Sequence, residues 1–128
     1  MVHGTAYDVP RSVGKFDAVT LCAILLHLLD PIRALEHAVE FTENAIIISD
    51  LVPFHLTAEE QKRPLAVFLP ANRFTPHGGV TWWHMSPVIY RNYLEVRGFD
   101  VSEPTFGTFR HQAGPRAMYQ LIARRRQS

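Results

Sequence analysis

Apolar residues along this chain alternate between short strand-like runs and helical stripes. Residues 16–22 hold Phe16, Ala18, Val19, Leu21 and Cys22 and read as a buried strand. Residues 23–29 either continue it or turn into a short helical segment, because periodicity alone does not separate the two. Asp30-Pro31 then marks a helix start, an N-cap followed by a proline whose missing N–H costs nothing there. Ile32, Leu35, Ala38 and Val39 form one face of that helix, and Arg33, Glu36, His37 and Glu40 lie mostly on the other. The pattern predicts an end between Thr42 and Asn44. Residues 45–49 are a continuous apolar run with three isoleucines, the mark of a strand covered on both faces in a parallel sheet.

The second half is less regular. Residues 51–81 form a long, lid-like insertion with Pro53, Pro64, Pro70, Pro76 and Gly78-Gly79. Within it, Thr57 and Glu60 fit a capping box and predict a short helix over 58–63. Ser86-Pro87 is a second N-cap and proline start, for a helix that runs to about Arg97 and stops at Gly98. Ile89, Tyr93 and Val96, flanked by Tyr90 and Leu94, give it a broad apolar face. Residues 99–105 and 117–123 are two further strands, with Gly107, Gly114 and Pro115 marking the bend between them. Direct succession without a helix implies an antiparallel pair. The order predicts one α/β domain over residues 1–128, a mostly parallel sheet with one antiparallel strand and helices on its faces.

Composition narrows the classes of function. At 128 residues, with 47% hydrophobic and 20% charged positions, the chain suits one small globular domain. A net charge of +1 with mixed signs does not call for nucleic acid or a membrane surface. The basic tail Arg124-Arg125-Arg126 reads as a solvated end. One cysteine rules out an intrachain disulfide and suits a reducing, cytoplasmic setting. Residues 1–5 lack the basic and apolar regions of a signal peptide, and residues 21–29 are too short to span a bilayer. The seven histidines form no H-x-x-x-H pair and no cluster with cysteine, so no metal site is expected.

Several of these segments resemble one family. Gly14-Lys15-Phe16-Asp17-Ala18-Val19 is similar to the G-x-F-D-x-V that opens the fourth strand of class I, Rossmann-like S-adenosylmethionine (SAM) methyltransferases. Leu25-Leu26-His27-Leu28-Leu29-Asp30-Pro31 with Ala34-Leu35 resembles the L-x-H-L-x-D-P-x-x-A-L that follows it. Residues 45–50 match the family's fifth strand. Thr81-Trp82-Trp83, Ser86-Pro87 and Gly98-Phe99 resemble a tryptophan-bearing segment, the penultimate helix and the G-F before the sixth strand in one subgroup. The wobble-uridine tRNA methyltransferases of the same superfamily are similar too. The resemblance covers nearly the whole chain and implies the C-terminal half of such a domain.

The family grips SAM with a G-x-G-x-G loop after its first strand and an acid closing the second, and neither has a counterpart in these residues. The resemblance therefore implies a truncated or partner-completed domain. Its first strand would be an exposed sheet edge, and it would pair with a second copy or with a chain carrying the other half. The implied reaction is methyl transfer from SAM to a small molecule or an RNA. The alternative is a non-catalytic module that binds no SAM, so enzymatic activity of this chain stays open.

Residue roles follow by position. Gly4-Thr5-Ala6-Tyr7-Asp8-Val9-Pro10 is similar to the family's G-D-A-x-x-L-P beside the adenine, which assigns Thr5 and Ala6 to the cofactor, with Thr5 in place of the usual Asp. Leu21, Cys22, Ala23 and His27 take the positions that border SAM. Trp82 and Trp83 are substrate-binding candidates; being adjacent in an extended segment, they point opposite ways. Asp50, at a strand end, and His84 are the candidate catalytic groups. Each has a plainer reading, Asp50 as a loop-capping carboxylate and His84 as a surface histidine.

Overall fold

The computed structural model describes residues 3–69, 81–112 and 114–127. Strand β1, Phe16–Cys22, has the bounds expected from the apolar run. A 3-10 turn, Leu25–His27, follows it and resolves the ambiguity of that segment. Helix α1, Pro31–Phe41, begins as predicted, with the Asp30 carboxylate accepting from the Arg33 N–H at 3.1 Å. Its end is tighter than expected. The Thr42 hydroxyl donates to the Ala38 carbonyl at 2.6 Å, and strand β2, Thr42–Leu51, starts without a loop.

The long connection holds more order than its prolines suggest. The capping box forms, with the Thr57 N–H donating to Glu60 Oε2 at 2.8 Å and the Glu60 N–H to Thr57 Oγ1 at 3.2 Å. It nucleates only a 3-10 turn, Glu60–Lys62, instead of a helix over 58–63. Strand β3, Ala66–Phe68, pairs antiparallel with β4, Trp83–Met85, a two-stranded ribbon the local pattern does not announce. Pro70, Pro76 and Gly78-Gly79 lie outside the described residues. Helix α2, Pro87–Val96, follows, and Gly98 takes the left-handed φ of 91° that a helix stop requires.

Strand β5, Phe99–Val101, is shorter than the predicted 99–105. A separate strand β6, Thr105–His111, forms a ribbon with β7, Gly114–Arg125, which is longer than the predicted 117–123. Gly107 sits inside β6 and Pro115 inside β7, so the bend lies between His111 and Gly114.

The main sheet has the order β1-β2-β7-β5, with β6 joined to β7. β1 pairs parallel with β2, and β7 pairs antiparallel with β2, β5 and β6. Only β7 therefore runs against the other four, as expected of a mostly parallel sheet with one antiparallel strand. The helices depart from expectation. Leu35 and Val39 of α1, Tyr90 and Leu94 of α2, Ile46 and Ile48 of β2, and Tyr119 and Leu121 of β7 form one core cluster. Both helices thus lie on a single face of the sheet. On the other face Ala45, Ile47 and Ser49 are only half-buried, so β2 is covered on one side and not two. β1 is an edge strand with no fully buried side chain, and its Phe16 is 49% exposed.

Candidate functional site

In open α/β sheets ligands sit beyond the carboxyl ends of the parallel strands. At that end of β1, Ala23 has a left-handed φ of 48°, the one non-glycine with positive φ among the described residues. Its N–H donates to the Ser49 carbonyl at 2.7 Å, which locks the exit of β1 against β2. Cys22 beside it is exposed. The chain then folds into the Leu25–His27 turn, which leaves His27 exposed and Leu25 and Leu26 buried.

Asp50 lies near the end of β2 and is 4% exposed. Its carboxylate accepts from the Leu51 N–H at 2.8 Å and from the Leu26 N–H, and His27 is close enough to favour its charge. Burial outweighs all three and pushes its pKa up to about 6. The same burial raises the Tyr90 and Tyr119 hydroxyls, and the nearby Asp50 carboxylate adds to the effect. Asp50 therefore ties the Leu25–His27 turn to β2 and lies within electrostatic reach of His27, Tyr90 and Tyr119.

The β3–β4 ribbon docks on the same turn. The Trp82 N–H donates to the Leu26 carbonyl at 2.9 Å, and the Trp83 indole N–H donates to the Leu29 carbonyl at 2.9 Å. Both tryptophans are half-buried, and Phe68 contacts each, with ring centroids 6.2 Å from Trp82 and 4.7 Å from Trp83. His84 is buried, 6% exposed, and not a surface histidine. Phe54 stands edge-on to its ring at 4.6 Å, and the His55 ring lies 5.0 Å away. Nδ1 of His84 has no hydrogen-bond partner among the described residues. Burial, and secondarily His55, lower its pKa, so the ring is neutral at neutral pH.

Ser86 holds the ribbon in place by a route that its N-cap position does not suggest. Its hydroxyl donates to the Arg63 carbonyl at 2.6 Å and accepts from the Leu65 N–H at 3.3 Å, and it makes no cap bond to α2.

The N-terminal candidates lie along the outer edge. Thr5 is exposed, and its hydroxyl accepts from the Tyr7 N–H at 3.3 Å within its own turn. The Tyr7 hydroxyl accepts from the Asp30 N–H at 3.1 Å, and Arg33 stacks 5.5 Å from the Tyr7 ring, which anchors this segment at the start of α1. Ala6 and Leu21 line one apolar groove of about 430 Å³ between β1 and α1, together with Phe16, Ile24 and Ala38. The structure thus brings Ala6 and Leu21 to one groove. Asp50 and His27 meet at the strand ends, and Trp82, Trp83 and His84 share one ribbon.

Sequence reasoning missed Phe54 and His55 because a loop dipeptide carries no periodic signal. A separate cleft of about 750 Å³, between the 52–62 loop, the start of α2 and the β6–β7 ribbon, is lined by none of the predicted site residues. Among the described residues no group of three His, Cys, Asp or Glu side chains could hold a metal, and no helix is long and apolar enough to cross a membrane.

No family model and no curated protein matches the sequence. Solved structures do match. Magnesium protoporphyrin IX methyltransferase from Synechocystis PCC 6803 with bound SAH is 18% identical at a TM-score of 0.61, over 96% of this chain and 49% of that one. A SAM-dependent methyltransferase from Methanosarcina mazei is 14% identical at a TM-score of 0.66, over 98% and 66%. The N-terminal domain of EvdMO1 with SAH bound is 20% identical at 0.56, over 96% and 52%. The chain has the α/β fold of these methyltransferases, as its motifs implied, and spans about half the length of the first of them.

Proposed function

We propose that this chain is part of a SAM-dependent methyltransferase acting on a small-molecule acceptor at the carboxyl end of β1 and β2, in a reducing, cytoplasmic setting. The observation that carries the reading is the fold match over nearly the whole chain to methyltransferases, two of them with SAH bound. An RNA acceptor is less well supported, since a net charge of +1 offers little attraction to phosphates.

The residues present fit one end of the cofactor. The apolar groove lined by Ala6 and Leu21 suits an adenine ring, and the small side chains of Cys22 and Ala23 leave their backbone approachable. The glycine turn and second-strand acid that serve the amino-acid end and ribose in the family have no counterpart here. Bound SAM would supply a methyl group on a sulfonium. The chain's own part is to align the acceptor, since proximity and orientation supply much of the effect in such a transfer. Trp82 and Trp83 line the acceptor side, and neutral His84 is suited to accept the acceptor's proton. Asp50, protonated only below about pH 6, holds the turn that carries His27.

Calorimetric titration of the purified chain with SAM and SAH tests this. Micromolar binding is the expected result, and a folded chain that gives no heat rules the reading out for the chain alone.

The open sheet face and the β1 edge favour a second reading, a non-catalytic module completed by a second copy or by a partner. Light scattering on a sizing column separates the two forms. A stable monomer with an intact fold counts against self-pairing.

A further inference from the structure

His84 is the buried group whose surroundings leave it unfinished. Its ring is 6% exposed, and Nδ1 has no partner among the described residues. A buried polar atom without a partner has lost its water and gained nothing in return. Its backbone is held on β4, opposite Val67 of β3, which fixes the face of the ribbon from which the ring projects.

What covers the ring is the Phe54–His55 corner just beyond β2. Phe54 packs edge-on to His84, yet it is itself 74% exposed. A phenyl ring offers Nδ1 no O–H or N–H. Phe54 therefore gains little where it lies, and it occupies the place over His84 that a flat ligand would take.

We propose that the Phe54–His55–His84 corner is a binding site for an aromatic hydroxyl compound, whose ring takes the place of the Phe54 side chain and whose O–H is donated to Nδ1 of His84. Two features make the class specific. Edge-on and tilted ring packing at 4.4–5.0 Å already joins Phe54, His55 and His84, so an added aromatic ring meets favourable partners. The buried acceptor also discriminates, because a site built to receive a hydroxyl proton rejects the analogue that lacks it. Naming this ligand as the methyl acceptor rests on the methyltransferase reading; the binding site itself does not.

The test uses α-naphthol and its methyl ether as probes, with binding to the whole chain followed by fluorescence. The chain is expected to prefer the naphthol by about tenfold, the worth of one hydrogen bond. His84→Phe keeps a ring and removes the orphan nitrogen. It should fold at least as stably and bind both probes within about twofold of each other. His84→Asn places an amide oxygen near the position of Nδ1 and should restore the preference for the naphthol. Phe54→Ala should change both affinities together and leave their ratio intact.

Equal binding of the two probes, no binding of either by the folded chain, or a preference that survives in His84→Phe would each overturn the proposal. SAM titration of the same samples keeps the two readings apart. Naphthol discrimination without SAM binding leaves the site standing and removes methyl transfer by the chain alone, and SAM binding without naphthol binding does the reverse.

Discussion

Ala23 spends conformational energy to turn the chain at the end of β1. A left-handed backbone costs a residue with a Cβ about 1–2 kcal/mol, and Ala23 sits at φ 48°. Ala23→Gly should therefore stabilise the chain by up to about 1 kcal/mol, after the greater unfolded-state entropy of glycine is subtracted. Urea unfolding reads this directly, and a destabilised glycine variant would show that the alanine methyl is packed and not strained. Asp50 carries a second cost. Its pKa is raised from 3.8 to about 6, so through that window the folded state keeps a proton that the unfolded chain has released. Stability due to Asp50 therefore falls as pH rises through the window, and the full penalty stands above it. Asp50→Asn should be more stable than the parent above about pH 6, by up to about 3 kcal/mol, and should lose that advantage near pH 4. Denaturation curves on both sides of the window decide it. A variant with no such pH dependence would place the carboxylate in a more solvated site than its 4% exposure indicates.

Among the elements, α1 depends on a residue from the far end of the chain. Arg125 of β7 donates to the Val39 carbonyl at 3.0 Å, to Thr42 at 2.8 Å and to Glu43 at 3.1 Å, and its guanidinium stacks 4.6 Å from the Phe99 ring. The Val39 carbonyl also accepts the Thr42 N–H, so Arg125 adds a second bond there, and its bonds to Thr42 and Glu43 fix the passage from α1 into β2. By composition alone Arg124, Arg125 and Arg126 make one solvated tail. Arg125 is instead a clamp, and Arg126 pairs with Asp100 at 2.8 Å. Arg125→Ala should cost about 2–3 kcal/mol, and Arg125→Lys should recover little, because one ammonium cannot match three carbonyls and an aromatic face. Thermal unfolding of the two variants checks this; a lysine variant as stable as the parent would reduce the clamp to a simple charge effect. The β3–β4 ribbon shows a similar dependence. Ser86 joins it to Arg63 and Leu65, which are more than twenty positions earlier in the chain.

For the molecule as a whole, the one-sided sheet matters most. β2 and β7 are paired on both edges, while β1 has β2 on one side only. In hydrogen exchange of the isolated chain, the outward amides of β1 should exchange far faster than those of Ile46 and Ile48. Strong protection along β1 would mean that a second copy already covers that edge. About half of the magnesium protoporphyrin IX methyltransferase structure lies outside the match, so a complement to this surface has room to exist.

Much of the architecture could be read from neighbours a few positions apart. Asp30-Pro31 starts α1, Thr57 and Glu60 form their box, and the apolar run 16–22 is β1, because capping and alternation act within one or two turns of chain. The family motifs likewise implied the methyltransferase fold. What no local pattern could reveal depends on distant partners. Three isoleucines in a row state that β2 is apolar, but not which face receives α1 and α2. Ser86 has the composition of a cap, yet its bonds go to Arg63 and Leu65. His84 and Asp50 have the look of polar loop residues, and folding buries both. Burial removes water from whichever groups the packed elements happen to enclose, so the altered acidity of Asp50 and the unpartnered nitrogen of His84 arise only once the sheet, the turn and the ribbon meet.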